Sequence, residues 1–348
     1  MWLVEGGLRV SSDGAAGSVD DPWVYQAGCA GAFARTWVVR GFAPTTVRGY
    51  SSLLARVLGR FDCPVWEVVA EDVDEMLHAL AVAGLAPGTR RQYLQMLRAF
   101  HGFVAERYGS QVRARFGMPV AGSGLDRFNH VRHAGDDSPT GPPPSAERLK
   151  DFFAFTRAQV AVAAEYRAMA RDYALLRTPY HSALRVSELV SLDLCDVHPG
   201  LGPSGKLHVR FGKAANTSGP RPRWAPMLDG LDRILAWYLA DVRPLFPPTA
   251  ALFCDDDGQA LKPGTVRDRL ARLLDVEGRG WDERFTPHAL RRACATHQYE
   301  RGMDLIAVQQ LLGHRHIAST MSYVKPSQTF IEDAWRRVTD SAVRELAG

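Results

Sequence analysis

Three short clusters near the C-terminus carry residue types that together could act on a phosphodiester. His288-Ala289-Leu290-Arg291 comes first. Leu312-Gly313-His314 follows, with its histidine 26 residues after the first, and Ser322-Tyr323 closes the series nine residues later. Upstream, Ala183-Leu184-Arg185-Val186-Ser187-Glu188-Leu189 supplies a further arginine. Guanidinium forks hold phosphate oxygens in bidentate fashion. Imidazoles donate hydrogen bonds or move protons. A tyrosine hydroxyl can attack phosphorus and stay behind as a covalent intermediate. A free phenol has a pKa of about 10, so such a tyrosine needs help from its surroundings.

Spacing gives these residues an expected placement. His288 precedes Arg291 by one helical turn, so both face the same side, while Arg292 points elsewhere. Arg185 and Glu188 are three residues apart, the spacing of a helical ion pair, and Glu188 is expected to hold Arg185 in place. Zinc binding by His288, His297, His314 and His316 would lack cysteine or carboxylate partners at the usual spacing, so no metal site is expected.

Taken in this order and at this spacing, the boxes resemble the signature of the tyrosine recombinases, the phage integrase family. The resemblance is specific from about Leu176 to Lys325 and looser over residues 22–108. It implies that Tyr323 is the nucleophile, leaving a 3′-phosphotyrosyl link and a free 5′-hydroxyl, and that Arg185 and Arg291 clamp the phosphate beside His288 and His314. It implies a lysine general acid in a turn between two strands. Lys213 is favoured for that role and Lys206 is the other local candidate. Here the chain departs from the family, reading Gly212-Lys213-Ala214-Ala215-Asn216-Thr217 in place of a Gly-Lys-Gly-Asn-Lys type of turn. A second departure is Ser182-Ala183-Leu184, where relatives usually carry glycine before Leu-Arg; alanine is a small replacement. The implied fold is mostly α with a small β-sheet: an N-terminal helical core-binding (SAM-like) domain, then a mixed α/β catalytic domain. The implied activity is site-specific cutting and rejoining of duplex DNA without metal, ATP or other cofactor. The implied partners are double-stranded DNA and three further copies, in a homo-tetramer that joins two sites and exchanges C-terminal helices. A type IB topoisomerase-like nicking-closing enzyme, a transposase of the same chemistry and a DNA-binding protein with a relic site are the alternatives.

Bulk properties agree with a globular DNA-acting protein without demanding one. The 348 residues suggest two domains, and 46% apolar content suffices for ordinary cores. A net charge of +4 does not by itself predict nucleic-acid binding. Residues 1–145 carry 14 Arg against 14 acids and no lysine, so any DNA-binding surface must come from clustering. No long apolar run suggests a membrane span. Cys29, Cys63, Cys195, Cys254 and Cys294 are scattered, as expected of reduced thiols in a cytoplasmic, nucleoid-associated protein.

Along the chain, residues 1–20 read as a flexible leader and 21–110 as a helical domain ending near Tyr108, which the resemblance implies is the core-binding, DNA-binding domain. Two helices in it open alike, at Pro44 and Pro87. Thr45, Thr46 and Arg48 on one start, and Thr89, Arg90 and Arg91 on the other, are the candidate DNA contacts, because helix N-termini favour phosphate. Tyr50, Leu53, Leu54, Val57 and Leu58 form an apolar stripe on the first. Residues 111–145, rich in Pro, Gly and Ser toward their end, read as a linker. Residues 146–348 read as the catalytic domain, with a strand at 207–211 that residues 223–227 could pair with. Helices are expected near 146–158, 161–178, 229–242, 264–275, 287–301, 304–312, 316–322 and 329–345. In the last, Phe330, Ile331, Ala334, Trp335 and Val338 form an apolar stripe.

Overall fold

The computed structural model describes residues 21–120, 122, 124–131, 141–211, 222–275 and 284–347, with residues 341–347 described by backbone alone. The expected leader 1–20, the turn bearing Lys213 and the Pro-rich stretch as far as Thr140 lie outside the described residues. The chain divides into two compact units, Met1–Thr140 and Gly141–Gly348.

The first unit is helical. It contains α1 (Pro22–Val39), α2 (Pro44–Leu58), α3 (Ala70–Val82) and α4 (Pro87–Phe116). Asp21 caps α1, accepting from the backbone N–H of Trp23 at 2.7 Å. Asp72, in the first turn of α3, reaches back to the N–H of Val69 at 3.0 Å. Phe33 and Trp37 of α1 pack with Leu54, Val57 and Leu58 of α2 and with Leu97, Phe100 and Val104 of α4. Tyr50, expected on the apolar stripe of α2, stays exposed at the rim, where its ring meets the edges of Trp37 and Phe42. The last helix runs eight residues past Tyr108, because Val112 and Phe116 extend its apolar row; Phe116 stacks on Trp66 at 5.4 Å. Polar Gly109-Ser110 hides that continuation in the sequence. Leu125 and Val131, in the stretch expected to be linker, also pack on this core.

The second unit is mixed. Its elements are α5 (Ala146–Val162), α6 (Tyr166–Ser182), α7 (Val186–Val190), β1 (Val197–His198), β2 (Lys206–Val209), β3 (Arg223–Pro226) and α8 (Leu231–Trp237), then α9 (Pro263–Leu274), α10 (Pro287–Glu300), α11 (Leu305–Leu312), α12 (Ile317–Met321) and α13 (Gln328–Ala347). Ser145 caps α5 through the N–H of Arg148, as its position before an acidic first turn predicts. Helix α6 is central, packed by α5 on one side and α10 on another. The sheet is antiparallel in the order β1-β2-β3, with Val209 opposite Arg223 and Lys206 opposite Pro226. Leu207, Val209 and Ala225 point into the core, while His208 stacks on the exposed Trp224 at 4.5 Å. The two-residue strand β1 is too short to show a period, and no sequence pattern announces it. The helix expected over 229–242 ends at Trp237 and continues as a wider turn over Tyr238–Val242.

Helix α6 ends at Ala183, which is fully buried and has φ +53°. The departure from glycine at this position therefore concerns backbone handedness more than size. An L-residue in the left-handed region costs about 1–2 kcal/mol, while glycine costs about 0.5–1 kcal/mol in chain entropy. We expect Ala183→Gly to be neutral or to stabilise by up to about 1 kcal/mol, and Ala183→Val, branched at Cβ, to destabilise by about 2 kcal/mol or more. Urea melts of the full chain measure both.

Candidate active site

The site is organised around one carboxylate. Glu188, with a side chain only 1% exposed, sits in the first turn of α7. Its Oε2 accepts from the backbone N–H of Arg185 at 2.9 Å, and its Oε1 accepts from the Arg185 guanidinium at 2.6 Å. The expected i,i+3 pair is thus formed at a helix start, where Arg185 is the cap residue. Two further guanidiniums converge on the same carboxylate: Arg223 donates to Oε2 at 2.7 Å, and Arg291 lies 3.7 Å from it.

Arg291 is fully buried on α10. It donates to the carbonyl of Ala183, which the left-handed turn aims at it, and to the carbonyl of Leu312 at 2.6 Å. Its Nε is buried, with no hydrogen-bond partner among the described residues. Burial and the neighbouring Arg185 pull its pKa down to about 9, still well above neutrality, so it keeps its charge. Arg292 turns away and donates to the carbonyl of Gly141.

His314 follows α11 across Gly313, whose φ is +63°. A Cβ on Gly313 would lie 2.5 Å from Nε of Arg223 and 2.7 Å from its Cδ, so glycine is required by conformation and by space. The ring of His314 is held at both nitrogens. Nε2 is 3.2 Å from a terminal nitrogen of Arg291, and Nδ1 is 3.1 Å from Oγ1 of Thr320. Arginine has no acceptor. Nε2 must therefore accept, and Nδ1 carries the proton and donates to Thr320. Burial, followed by Arg291, Arg185 and Arg223, pushes the pKa of His314 down to about 4, so the ring is neutral at pH 7.

Tyr323 lies between the two histidines. Ring centroids are 4.7 Å from His314 and 5.2 Å from His288, both edge-on, and the guanidinium carbon of Arg291 is 5.6 Å from the phenol ring centre. Thr296 of α10 pins the segment: its hydroxyl donates to the carbonyl of Tyr323 at 3.4 Å and accepts from the N–H of Lys325 at 3.2 Å. Burial, then the charges of Arg291, Arg292 and Arg185, lower the pKa of His288. The structure thus brings together Arg185, Glu188, His288, Arg291, His314 and Tyr323. Lys213 lies outside the described residues. Lys206 sits at the far end of β2 beside Pro226, about 10 Å along the strand from the end that Arg223 shares with the site. His297 is turned to the hydroxyl of Tyr180 at 3.0 Å. Among the described residues no three histidine, cysteine or acidic side chains are grouped to hold a metal.

Sequence reasoning missed Arg223 and Thr320. Thr320 stands three residues before the tyrosine, and nothing in its neighbourhood marks it. Arg223 follows Arg221 in a Pro-rich stretch where neither arginine stands out.

In the helical unit, Thr45, Thr46 and Arg48 are exposed at the start of α2; Thr89, Arg90 and Arg91 are half-buried at the start of α4. The two starts share one design. Each follows an alanine, opens on proline and has no side-chain cap.

Known proteins resemble this chain in sequence and in fold. The profile of the Phage integrase family matches residues 156–329. Tyrosine recombinase XerC of Methylobacterium sp. (strain 4-46) is 29% identical over 313 residues, covering 86% of this chain and 94% of that relative. Tyrosine recombinase XerD of Listeria monocytogenes serotype 4b (strain F2365) is 32% identical over 173 residues, covering 48% of this chain and 54% of the relative. Among solved structures, the Tn1549 transposon integrase in complex with transposon right end DNA superposes with a TM-score of 0.66 at 18% identity, covering 89% of this chain and 99% of that one. The XerH site-specific recombinase bound to palindromic difH substrate gives 0.61 at 20% identity, covering 85% and 80%. At such identities the structural likeness is one of fold.

Burial lowers the pKa of His181, His288, His297 and His314 below the ordinary histidine value. The unfolded chain, with histidine pKa values near 6.5, then binds more protons than the folded one between about pH 4 and 6.5. Stability therefore rises with pH across that window and is eroded as pH falls. We expect the melting temperature of the full chain to drop between about pH 7 and pH 5, and His314→Gln to flatten that drop. Scanning calorimetry across the range is the check; a pH-independent melting temperature would contradict the neutral, buried assignment.

Proposed function

The chain belongs to the phage integrase family and is a tyrosine-type site-specific DNA recombinase, and on that premise we propose how its own residues perform strand exchange. Tyr323 attacks the scissile phosphorus, the bond to the 5′-oxygen breaks, and a 3′-phosphotyrosyl link forms. The bond energy is kept in that link, so attack by a 5′-hydroxyl reverses the step and rejoins a strand. Arg185 and Arg291 bind the non-bridging oxygens, where charge accumulates in the transition state. Both nitrogens of His314 are engaged, by Arg291 and Thr320, so His288, neutral and beside the phenol, is assigned the tyrosine proton. Lys213 gives a proton to the leaving 5′-oxygen. The strand register favours it over Lys206, because the β2–β3 connection leaves from the end of the sheet that carries Arg223. The observation that carries this reading is the convergence of two arginines, two histidines and Tyr323 around buried Glu188.

Duplex DNA is the substrate, met by the starts of α2 and α4 through Thr45, Thr46, Arg48, Thr89, Arg90 and Arg91. The protein acts as a tetramer on two sites. The support lies in α13. Its first turn rests on its own unit through Phe330, 5.7 Å from Tyr299. Beyond that contact Trp335 is 64% exposed and Val338 71% exposed. A stripe begun at home and left open further on suits docking on a neighbouring copy.

Tyr323→Phe should retain duplex binding and lose the covalent adduct on a nicked suicide substrate; an adduct that persists would name another nucleophile. Truncation after Ser327 should leave binding to one site nearly intact and abolish the four-copy, two-site complex on native gels. A normal complex from the truncated chain would refute helix exchange.

A further inference from the structure

We propose that Arg223 is a positioning residue for strand cleavage, acting through Glu188; the proposal rests on Arg185, Arg291 and Tyr323 carrying the chemistry. Arg223 opens β3, the strand that follows the segment bearing Lys213 in the sequence. Its guanidinium donates to Oε2 of Glu188 at 2.7 Å, the same oxygen that accepts from the Arg185 N–H and faces Arg291. The side chain is 13% exposed, and its Nε and second terminal nitrogen are buried with no hydrogen-bond partner among the described residues. Among the described residues, Glu188 is its hydrogen-bond partner.

A carboxylate offered three guanidiniums must be shared in a fixed way. Without Arg223, Oε2 loses a short charge-assisted bond, and Glu188 is free to tilt toward Arg291. That movement would draw Arg291 or Arg185 off the phosphate geometry. The contact with Gly313 places Arg223 under the loop that carries His314, so one side chain braces both the clamp and the imidazole. No close sequence spacing announces it: Arg223 and Glu188 are 35 residues apart.

The test is single-turnover adduct formation by the full chain on a nicked suicide duplex, with anisotropy binding to the same duplex and a thermal melt of each variant. A displacement of catalytic groups of the order of an ångström costs about a hundredfold. Arg223→Gln should slow adduct formation by about that factor while binding changes by less than about threefold, and Arg223→Lys, keeping a charge for Glu188, should recover much of the loss. The decisive readout is coupling. Glu188→Gln combined with Arg223→Gln should lose far less than the product of the two single losses, because both act on the same carboxylate. Multiplicative losses, or an unaltered rate for Arg223→Gln in a parent that forms adduct, would overturn the proposal. Should Arg223→Gln fail to fold, Arg223→Lys alone and with Glu188→Gln reads the same coupling. An adduct that survives Tyr323→Phe would instead sink the underlying reading.

Discussion

A buried carboxylate shared by three guanidiniums is the interaction on which this site depends. Arg291 is fully buried, and burying a charge is expensive unless it is paired. Glu188 provides that pairing for Arg185, Arg223 and Arg291 together. One negative charge among three positive ones leaves the cluster with two uncompensated positive charges. A cluster with that charge suits a phosphodiester, and suits still better a transition state in which extra charge moves onto the oxygens. Burial, reinforced by the same field, keeps His314 neutral, and backbone carbonyls at Ala183 and Leu312 fix the Arg291 fork before any ligand arrives.

The fold supplies these groups from elements far apart in the chain. The end of α6 and start of α7 bring Ala183, Arg185 and Glu188. The middle of α10 brings Arg291, with His288 one turn earlier and Thr296 one and a half turns later. The turn after α11 brings His314, and the chain after α12 brings Tyr323. Helix α10 is the common wall: it touches the carboxylate through Arg291 and holds the tyrosine segment through Thr296. This explains why Arg291 and Thr296 are enclosed on its buried face.

How much of this could be read beforehand follows from distance along the chain. The His288–Arg291 and Arg185–Glu188 pairs lie within one helical turn, so spacing alone places them together. Helix starts at Pro44, Pro87 and Ser145 carry local chemistry and fall where that chemistry says. The tyrosine and His314 were legible only as a set of boxes. Arg223 was not legible, because its partners are 35 and 90 residues away and meet it only through sheet register. The handedness at Ala183 was hidden for another reason: a left-handed alanine leaves no mark in a sequence, where size is the property that shows. The α4 helix outran its expected end because two apolar positions sit beyond a polar stretch that resembles a stop.

The open half of α13 gives the molecule an economy of its own. A free chain keeps Trp335 and Val338 in water, a standing cost that only a second surface removes. At the dilution of a cell such a surface seldom arrives by collision. Bound side by side on DNA, chains under the proposed assembly would meet at an effective concentration set by the spacing of their sites rather than by their number. The substrate would then act as the scaffold that licenses its own cutting, and a lone chain on a lone site would stay at rest.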